Sequence, residues 1–312
     1  MLKVATHNGT FHADDVFAFA ILRAASGGQI ELIRSRDQQA LDAAAVVFDV
    51  GGSYDRDSHR YDHHMRDKPL RPNGEPYSSA GLVWRDFGEA AVGHMLSEAS
   101  AEAIVRVVEM VDAGFIRDVD LMDNGAMTPT PGHFSTVIEA FNSTFVEDGR
   151  DENAAFMQTA DIAATVLKRI CAGAWASVQA EATVAEAARC AEHPGIIVLD
   201  SRVPWEDAIF DLRLDGALYV IRPAGDAWTC SAVPPERGSF AQRHPLPEAW
   251  GGLRDEAFST LTGIGDATFC HSALFVCGAR SREGAVSLAR IAASSNPVKD
   301  GLEARPDSGN KA

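Results

Sequence analysis

Four short segments rich in aspartate and histidine lie within the first 125 residues of this chain of 312 residues. They are Thr6–Asp15, Asp49, Arg60–His64 and Asp120–Gly125. Carboxylate oxygens and imidazole nitrogens bind divalent cations such as Mn²⁺, Mg²⁺, Co²⁺ and Zn²⁺, and a donor set without cysteine favours a catalytic site. Two such ions about 3.5 to 4 Å apart can activate water and stabilise the attacking and leaving oxygens of a phosphate ester. The segments therefore predict a pair of catalytic metal ions.

Asp49 is a suitable residue to bridge the two ions. It directly follows the apolar run Val46–Phe48, which has the pattern of a buried strand, so its carboxylate is expected at a strand end. Two cations this close repel each other, and a shared carboxylate offsets the repulsion. Taken alone, Asp49 has an ordinary alternative as a turn or capping residue, and Asp14 and Asp15 have one as acids in a first helical turn.

The composition limits the classes of protein to which the chain can belong. Apolar residues make up 46% and charged residues 23%, as in soluble globular proteins. The formal charge of −16 disfavours broad adhesion to polyanions, so metal ions and a few arginines must attract any nucleic acid locally. Five cysteines without a C-x-x-C pair predict reduced thiols. We predict a cytoplasmic protein with no membrane segment, and a homo-oligomer is left open.

Strand and helix patterns alternate through the first part of the chain. Strands are predicted at Leu2–Thr6, Ile30–Ile33 and Val46–Val50, and a helix at Asp14–Arg23. This alternation favours a parallel α/β sheet. Ligands of such sheets gather beyond the carboxyl ends of the strands, which is where the first two acid-and-histidine segments fall.

A long alanine-rich segment divides the chain. Glu152–Cys190 contains no proline and predicts long helices. We predict a metal-binding catalytic domain at 1–150, a helical connector at 151–192, a smaller substrate-binding α/β domain with a mixed sheet at 193–296 and a flexible tail at 297–312. The second domain is expected to contain strands at Ile196–Leu199, Leu218–Ile221 and Ala267–Cys277, and a closing helix at Arg282–Ala293.

A few side chains outside the acidic segments are candidates for contacts with a substrate phosphate. They are Arg36, Arg254, His271 and Arg282. Guanidinium groups bind phosphate oxygens in a bidentate manner, although each candidate has an alternative as a solvated surface charge or a core hydrogen-bonding group. A serine at the predicted helix start, Ser78 or Ser79, could also donate to a phosphate, with helix capping as its alternative.

Seven motifs together resemble one enzyme superfamily. They are Thr6–Asp15, Tyr61–His64, Tyr77–Trp84, Asp120–Gly125, Trp250–Glu256, Phe269–Ser272 and Arg282–Ala285. The order of the motifs along the chain resembles that of the DHH phosphoesterase superfamily. Their amino-acid sequences resemble those of one of its branches, the melanocyte-proliferating-gene exonuclease family. The resemblance covers residues 3 to 293 and implies an α/β fold in which long helices join a parallel-sheet DHH-type domain to a smaller C-terminal domain.

The same resemblance implies a function. It implies a metal-dependent phosphodiesterase similar to 3′-to-5′ RNA exonucleases, which would release nucleotides from short RNA. The cofactors would be two divalent ions, with Mn²⁺ as the first choice and Mg²⁺, Co²⁺ or Zn²⁺ as alternatives. A hydrolase of a small phosphorylated metabolite, a cyclic dinucleotide or pyrophosphate is the alternative among enzymes. A noncatalytic binding module that retains the fold is the alternative from another class.

The resemblance further implies a set of metal ligands. They are His7, His12, Asp14, Asp49, His63 and Asp120. Asp49 would be the bridging ligand, and His12 stands where many relatives have aspartate. Asp120 is preferred as the last ligand because its spacing to Asp123-Asn124-Gly125 fits the family, and Asp112 and Asp123 remain the alternatives.

Two neighbouring residues would assist these ligands. Asp62 would orient the metal ligand His63 through its ring N–H. His64 would lie over the substrate phosphate and assist proton transfer or stabilise charge.

Overall fold

A computed structural model of the protein describes residues 1–147 and 149–295. The chain divides into two compact units, of which the first spans Met1–Val178 and the second begins at Gln179. Each unit contains one five-stranded mixed sheet with helices, which confirms the predicted α/β class. The predicted tail at 297–312 lies outside the described residues, and the predicted domain limits stay a prediction.

The sheet of the first unit sets the positions of the acid-and-histidine segments. Its strands are β1 (Leu2–Thr6), β2 (Ile30–Arg34), β3 (Val46–Phe48), β4 (Tyr54–Asp55) and β5 (Arg60–Tyr61). Their order is β2-β1-β3-β5-β4, and all neighbours are parallel except β4, which pairs with β5 in the antiparallel direction. All three residues of β3 are buried, as expected for a strand covered on both faces. The carboxyl ends of β1, β3 and β5 therefore lie side by side.

The helices of the first unit pack around this sheet. They are α1 (Ala13–Ala25), α2 (Gln38–Asp42), α3 (Ser79–Met95), α4 (Ala101–Val111), a π-helical turn (Asp112–Ile116), α5 (Arg117–Asp123), α6 (Phe134–Glu139) and the part of α7 (Glu152–Arg189) up to Val178. Every residue from Ala13 to Leu22 is buried, so α1 lies in the core with apolar contacts on all sides. It packs along α3, and this contact places the first turns of both helices near the carboxyl end of the sheet.

Helix α7 is a single helix of 38 residues in the place where several long helices were predicted. Phe156, Ala160, Ala163, Leu167 and Cys171 recur every three or four residues and are all buried in the core of the first unit. The alanine-rich composition explains its length, because alanine has the highest helix propensity. None of the helices in the described ranges combines the length and hydropathy needed to cross a membrane.

The second unit contains the other mixed sheet. Its strands are β6 (Ile196–Val198), β7 (Tyr219–Ala224), β8 (Ala227–Ala232), β9 (Ala267–Cys270) and β10 (Val276–Ala279), in the order β6-β7-β8-β10-β9. Only β6 and β7 are parallel to each other. The helices are α8 (Glu206–Asp211), a 3₁₀ turn (Glu248–Trp250), α9 (Asp255–Thr262) and α10 (Arg282–Ser294).

The single strand predicted at Ala267–Cys277 is wrong, because this segment folds into the hairpin of β9 and β10. The backbone N–H of Leu274 donates to the carbonyl of His271, and the N–H of His271 donates to the carbonyl of Val276. Leu274 has φ of 61°, in the left-handed region that closes tight turns. No glycine or proline marks this turn, so an apolar run of this length is easily taken for one strand.

We expect Gly81→Ala to destabilise the first unit strongly. A Cβ atom at Gly81, in the first turn of α3, would lie 2.1 Å from Oδ2 of Asp120, which is itself fully buried. Such overpacking costs about 3 kcal/mol or more of the free energy of unfolding. Gly173→Ala in α7 is the matched control, because its Cβ would meet nothing within 4 Å. Urea unfolding checks this, and equal stability of the two variants would contradict the close packing at Gly81.

Candidate metal centre

Three neighbouring parallel strands deliver the first group of polar side chains. His7 directly follows β1, Asp49 follows β3, and Asp62, His63 and His64 follow β5. Because these strands are adjacent in the sheet, their carboxyl ends place the side chains at one edge. The convergence is therefore a consequence of strand topology.

Two helices add carboxylates to the same edge. Asp14 and Asp15 lie in the first turn of α1, and both are completely buried or nearly so. Asp123 is the last residue of α5. The Nε2 atom of His63 lies 3.5 Å from Oδ2 of Asp14 and 3.2 Å from Oδ2 of Asp123. Residues from five elements thus meet within a few ångströms.

Asp49 lies at the centre of this cluster. Its Oδ2 lies 3.1 Å from Nε2 of His7, and its Oδ1 lies 3.3 Å from Nε2 of His63. Burial alone would raise the pKa of Asp49, but the imidazoles of His63 and His7 lower it below its ordinary value. Its backbone has φ of 56°, a left-handed conformation that costs about 1 kcal/mol or more in a residue with a side chain. A strained, charged carboxylate facing two histidines fits the geometry of a bridging ligand.

Two other carboxylates of the cluster each have one buried oxygen that accepts no hydrogen bond. Among the described residues, Oδ1 of Asp14 and Oδ2 of Asp15 have no hydrogen-bond partner although both atoms are buried. Burial, together with the charges of Asp123 and Asp49, raises the pKa of Asp14 well above its ordinary value. Burial and the charge of Asp49 raise the pKa of Asp15 to about 8. Buried carboxylates that face each other are unfavourable unless a cation compensates them, so the cluster fits divalent metal ions.

Three groups of side chains have donor atoms within 4.8 Å of one another and so could each share an ion. The groups are His7 with His12 and Asp49, Asp49 with His63 and His64, and His12 with Asp14 and Asp123. Asp49 and His12 each belong to two groups, as expected where two ions lie close together. The mixture of oxygen and nitrogen donors suits divalent cations of the first transition row and Mg²⁺.

Asp120, the residue predicted as the last ligand, lies outside these three groups. Its Oδ1 accepts hydrogen bonds from the backbone N and Oγ of Ser78 and from the backbone N of Gly81. Its Oδ2 accepts a 2.6 Å hydrogen bond from Arg71. The carboxylate therefore caps the start of α3 and has its acceptor capacity used by protein donors. Asp123, one of the two alternatives, takes its place in the cluster.

Arg71 binds Asp112, the remaining alternative for the last metal ligand. Its Nη2 lies 2.9 Å from Oδ1 of Asp112, while the same guanidinium binds Asp120 and lies 4.5 Å from the ring centroid of Tyr77. Asp112 is thus half of an ion pair and contributes to none of the three ligand groups. The guanidinium of Arg71 thus connects the π-helical turn at Asp112 to α5 at Asp120.

Asp62 orients His64 rather than His63, which corrects the arrangement implied by the resemblance. Its Oδ1 lies 2.8 Å from Nδ1 of His64 and accepts the backbone N–H of His63 at 2.7 Å. Its Oδ2 accepts the backbone N–H of Gly52 at 2.6 Å. The side chain of His64 is 63% exposed and that of His63 only 5%. Asp62 therefore fixes an accessible imidazole beside the buried cluster.

Two cavities open beside the cluster, and His12, Asp49 and His64 line both of them. The first, here named the Lys68 cavity, has a volume of about 480 Å³ and extends to Lys68. The second, here named the Arg36 cavity, has a volume of about 580 Å³ and extends to Arg36. The exposed guanidinium of Arg36 thus lies beside the cluster, and its contact with a phosphate stays a prediction.

Comparison with known proteins decides the family. The family model MYG1_exonuc, described as "Uncharacterised protein family (UPF0160)", matches residues 3–293. The chain belongs to the MYG1 exonuclease family. This confirms the family that the sequence motifs resemble.

Relatives in the MYG1 exonuclease family are similar over nearly their whole length. The MYG1 exonuclease of Bos taurus is 32% identical over 326 residues, which cover 95% of this chain and 86% of that protein. The MYG1 exonuclease of Homo sapiens is 32% identical over 321 residues, covering 92% and 85%. A MYG1 protein of Schizosaccharomyces pombe is 33% identical over 321 residues, covering 94% and 97%.

The similarity between this structure and the solved structures of RecJ is weak. The crystal structure of RecJ in complex with Mn²⁺ from Thermus thermophilus covers 95% of this chain and 52% of that chain, at 13% identity and a TM-score of 0.28. This likeness supports no argument about the fold or the site.

Ser79 lies behind the cluster of this MYG1 family member, which corrects its predicted contact with substrate. The residue is completely buried. Its hydroxyl donates to Oδ1 of Asp49 at 3.2 Å, and its backbone N–H donates to Oδ2 of Asp14 at 3.3 Å. Ser79 therefore braces two carboxylates of the cluster and offers no surface to a ligand.

The other three predicted phosphate contacts belong to the second unit. Arg254, His271 and Arg282 are all exposed there. Nδ1 of His271 accepts the backbone N–H of Ala273, and Nε of Arg282 lies 3.4 Å from Oδ1 of Asp200. Their roles in a MYG1 exonuclease family protein stay predictions.

Sequence reasoning names Asp15 only as a member of the first segment or an acid of a helical turn, and it does not identify Arg71 or Lys68. Asp15 accepts the backbone N–H of His12 at 3.0 Å, and the three-residue spacing of a capping box is the signal that could have found it. Arg71 and Lys68 lie in a polar loop without a motif. Their contacts are to residues 49 and 56 positions later in the chain, so no local pattern reveals them.

We expect the metal-free protein to lose stability as the pH rises from about 5 to 8. The pKa values of Asp14, Asp15 and Asp123 are raised in the folded state mainly by burial, and their unfolded values lie near 4. His7 and His63 also have raised pKa values, because neighbouring carboxylates outweigh burial, which alone would lower them. Over this pH range the folded state holds protons that the unfolded state has released, so a higher pH favours unfolding.

Thermal unfolding in a chelator checks this expectation. The Tm should fall between pH 5 and pH 8, and added Mn²⁺ should raise it most at pH 8, where fewer protons compete with the ion for the carboxylates and imidazoles of the folded state. A chelated protein whose Tm rises across this interval would contradict the burial of uncompensated carboxylates.

Proposed function

We propose that this protein is a metal-dependent phosphodiesterase that acts as an exonuclease. The observation that carries the proposal is the position of Asp49, whose two oxygens lie 3.1 Å from His7 and 3.3 Å from His63. Beside it, Oδ1 of Asp14 and Oδ2 of Asp15 are buried without a hydrogen-bond partner, and divalent cations would compensate these carboxylates. Membership in the MYG1 exonuclease family and relatives named as exonucleases support the same function.

Six side chains of the cluster, including Asp49, would hold two divalent ions. They are His7, His12, Asp14, Asp49, His63 and Asp123. Divalent ions in such centres act as Lewis acids and lower the pKa of water. Ser79 keeps Asp49 in position, and the apolar core behind α1 excludes solvent from the buried side of the centre.

His64 is the residue that would contact the reacting phosphate. Asp62 binds its Nδ1, so Nε2 is the ring atom left to exchange a proton or to donate to a phosphate oxygen. A carboxylate on one side of the ring fixes the direction in which the other nitrogen points, which suits stabilisation of charge on the phosphate. His64 also lines both cavities, so a substrate in either one would lie against it.

The finer assignment is a 3′-to-5′ exoribonuclease that uses Mn²⁺ and acts on short RNA. It rests on the resemblance of the motifs to the family's RNA exonucleases. The net charge of −16 also favours a short strand over a long duplex, because affinity for long nucleic acids depends on many phosphate contacts with basic residues. Two cavities of moderate volume on either side of His64 suit a strand of few nucleotides.

A cross of metals and substrates tests the proposal. Chelated protein is supplied with Mn²⁺, Mg²⁺, Co²⁺ or Zn²⁺ and incubated with a 5′-labelled short RNA, the matching DNA, a cyclic dinucleotide or pyrophosphate. The proposal expects a ladder of shortening labelled RNA, because removal from the 3′ end leaves the label on the remaining strand. Immediate release of a labelled mononucleotide would indicate the opposite direction.

Other outcomes separate the alternatives. Turnover of only the cyclic dinucleotide or pyrophosphate would indicate a hydrolase of small phosphorylated compounds. Metal binding without turnover of any substrate would overturn the enzymatic proposal in favour of a binding module. His64→Ala is the matched variant, which should lose activity while it retains bound metal.

A further inference from the structure

Lys68 is the only lysine or arginine among the described residues that line the Lys68 cavity. The acidic side chains of Asp49, Asp123 and Glu139 line the same cavity. The Nζ atom of Lys68 donates a 2.7 Å hydrogen bond to Oδ1 of Asn124, which is a neutral acceptor. An amide therefore holds the ammonium group of Lys68 at the cavity, and none of the carboxylates in the described part of the chain forms an ion pair with it.

Asn124 is itself held in a fixed orientation. Its Nδ2 donates to the backbone carbonyl of Tyr77 at 3.1 Å and to that of Asp120 at 2.9 Å. Its side-chain oxygen consequently points away from these carbonyls and toward Lys68. Asn124 directly follows Asp123 in the chain. The hydrogen bond from Lys68 to Asn124 therefore places the ammonium group one residue away from a side chain of the candidate metal centre. A side chain that is held in advance loses less conformational entropy when it binds a ligand.

The ammonium group has donors left for a ligand. A lysine carries three N–H donors, of which the contact with Asn124 uses one. A phosphate is the anion that fits best, because it offers several oxygens to a compact charge next to a centre suited to phosphate esters. The cavity volume of about 480 Å³ lies in the range of sites for small organic ligands and suits one nucleotide.

We propose that Lys68 binds a phosphate of the substrate other than the one that is cleaved, which makes the Lys68 cavity a nucleotide subsite. The inference rests on the proposed function and deepens it, because it names a substrate with at least two phosphate groups. A minimal diester with one phosphate can reach the metal centre but has no group for Lys68. The protein should therefore prefer oligonucleotides over such compounds.

The test compares a trinucleotide RNA with bis(p-nitrophenyl) phosphate, which has a single phosphate. Lys68→Met should raise KM for the trinucleotide about tenfold and affect the minimal diester less. One lost phosphate contact should also reduce the slope of log KM against log salt concentration by about 0.7, the value for single strands. Lys68→Arg should keep most of the salt dependence. Arg66→Met, two residues away at an exposed position that does not line the cavity, is the matched control.

The outcomes separate this inference from the proposed function. If the wild type cleaves the trinucleotide and Lys68→Met has the same KM and salt slope, the subsite is wrong and the proposed function stands. An equal loss of kcat on both substrates at unchanged KM would indicate a structural role and would also overturn it. If the wild type cleaves neither substrate, fluorescence anisotropy with a labelled trinucleotide still decides, because equal dissociation constants for wild type and Lys68→Met would end the inference.

Discussion

Asp49→Ala is expected to lower kcat by about a thousandfold or more and to leave the protein with fewer than two bound ions. Asp49 presents one oxygen to His7 and the other to His63, so it is the only side chain of the described cluster seen to face both histidines with separate oxygens. Removing it takes away the anion that offsets the repulsion between two cations about 4 Å apart. Elemental analysis after desalting and steady-state kinetics measure the two effects.

Asp49→Asn separates the charge from the backbone conformation at this position. Asn tolerates the left-handed conformation that Asp49 adopts at φ of 56°, whereas Ala is strained there. Both variants should therefore lose activity alike, and Asp49→Asn should be the more stable of the two. Asp42→Ala, at an exposed position on α2, is the control for loss of an aspartate elsewhere. Full activity with two bound ions in Asp49→Asn would rule out a bridging carboxylate.

Asp123→Asn and Asp120→Asn are expected to have opposite effects although the two residues lie three positions apart on α5. Asp123→Asn should weaken metal binding, because an amide is a poorer ligand for divalent cations than a carboxylate. It should not lower the stability of the metal-free protein, because Asp123 adds to the repulsion at Asp14. Asp120→Asn should lower the free energy of unfolding by about 3 kcal/mol, since both oxygens of Asp120 accept hydrogen bonds and the amide nitrogen of asparagine would face a buried donor in place of one of them.

Calorimetric titration with Mn²⁺ and urea unfolding in chelator distinguish the pair. Asp120→Asn should retain its metal stoichiometry while its unfolding midpoint falls, and Asp123→Asn should show the reverse. If Asp120→Asn instead loses metal and keeps its stability, the ligand first predicted from the motif spacing is correct and the geometric assignment is wrong.

Much of the centre follows from local sequence patterns. The apolar runs before His7 and Asp49 predict strands, because alternating or continuous apolar residues reflect burial of neighbouring positions. The rule that parallel strands gather ligands at their carboxyl ends then predicts that these residues converge. The hairpin of β9 and β10 shows the limit, since its turn at Leu274 contains no residue that marks a reversal.

The sequence by itself determined the α/β class, the family, and the convergence of histidines and aspartates at one sheet edge, because neighbouring residues and short motifs encode these features. Only the tertiary structure decided which of two nearby carboxylates has its oxygens used by protein donors. Asp120 and Asp123 have the same chemistry, but Ser78 and Arg71, which lie 42 and 49 positions from Asp120, use its oxygens as acceptors. The tertiary structure likewise decided which histidine ring Asp62 orients, because its Oδ1 lies 2.8 Å from Nδ1 of His64. Competition among distant donors is a property of the folded chain and leaves no trace in residue spacing.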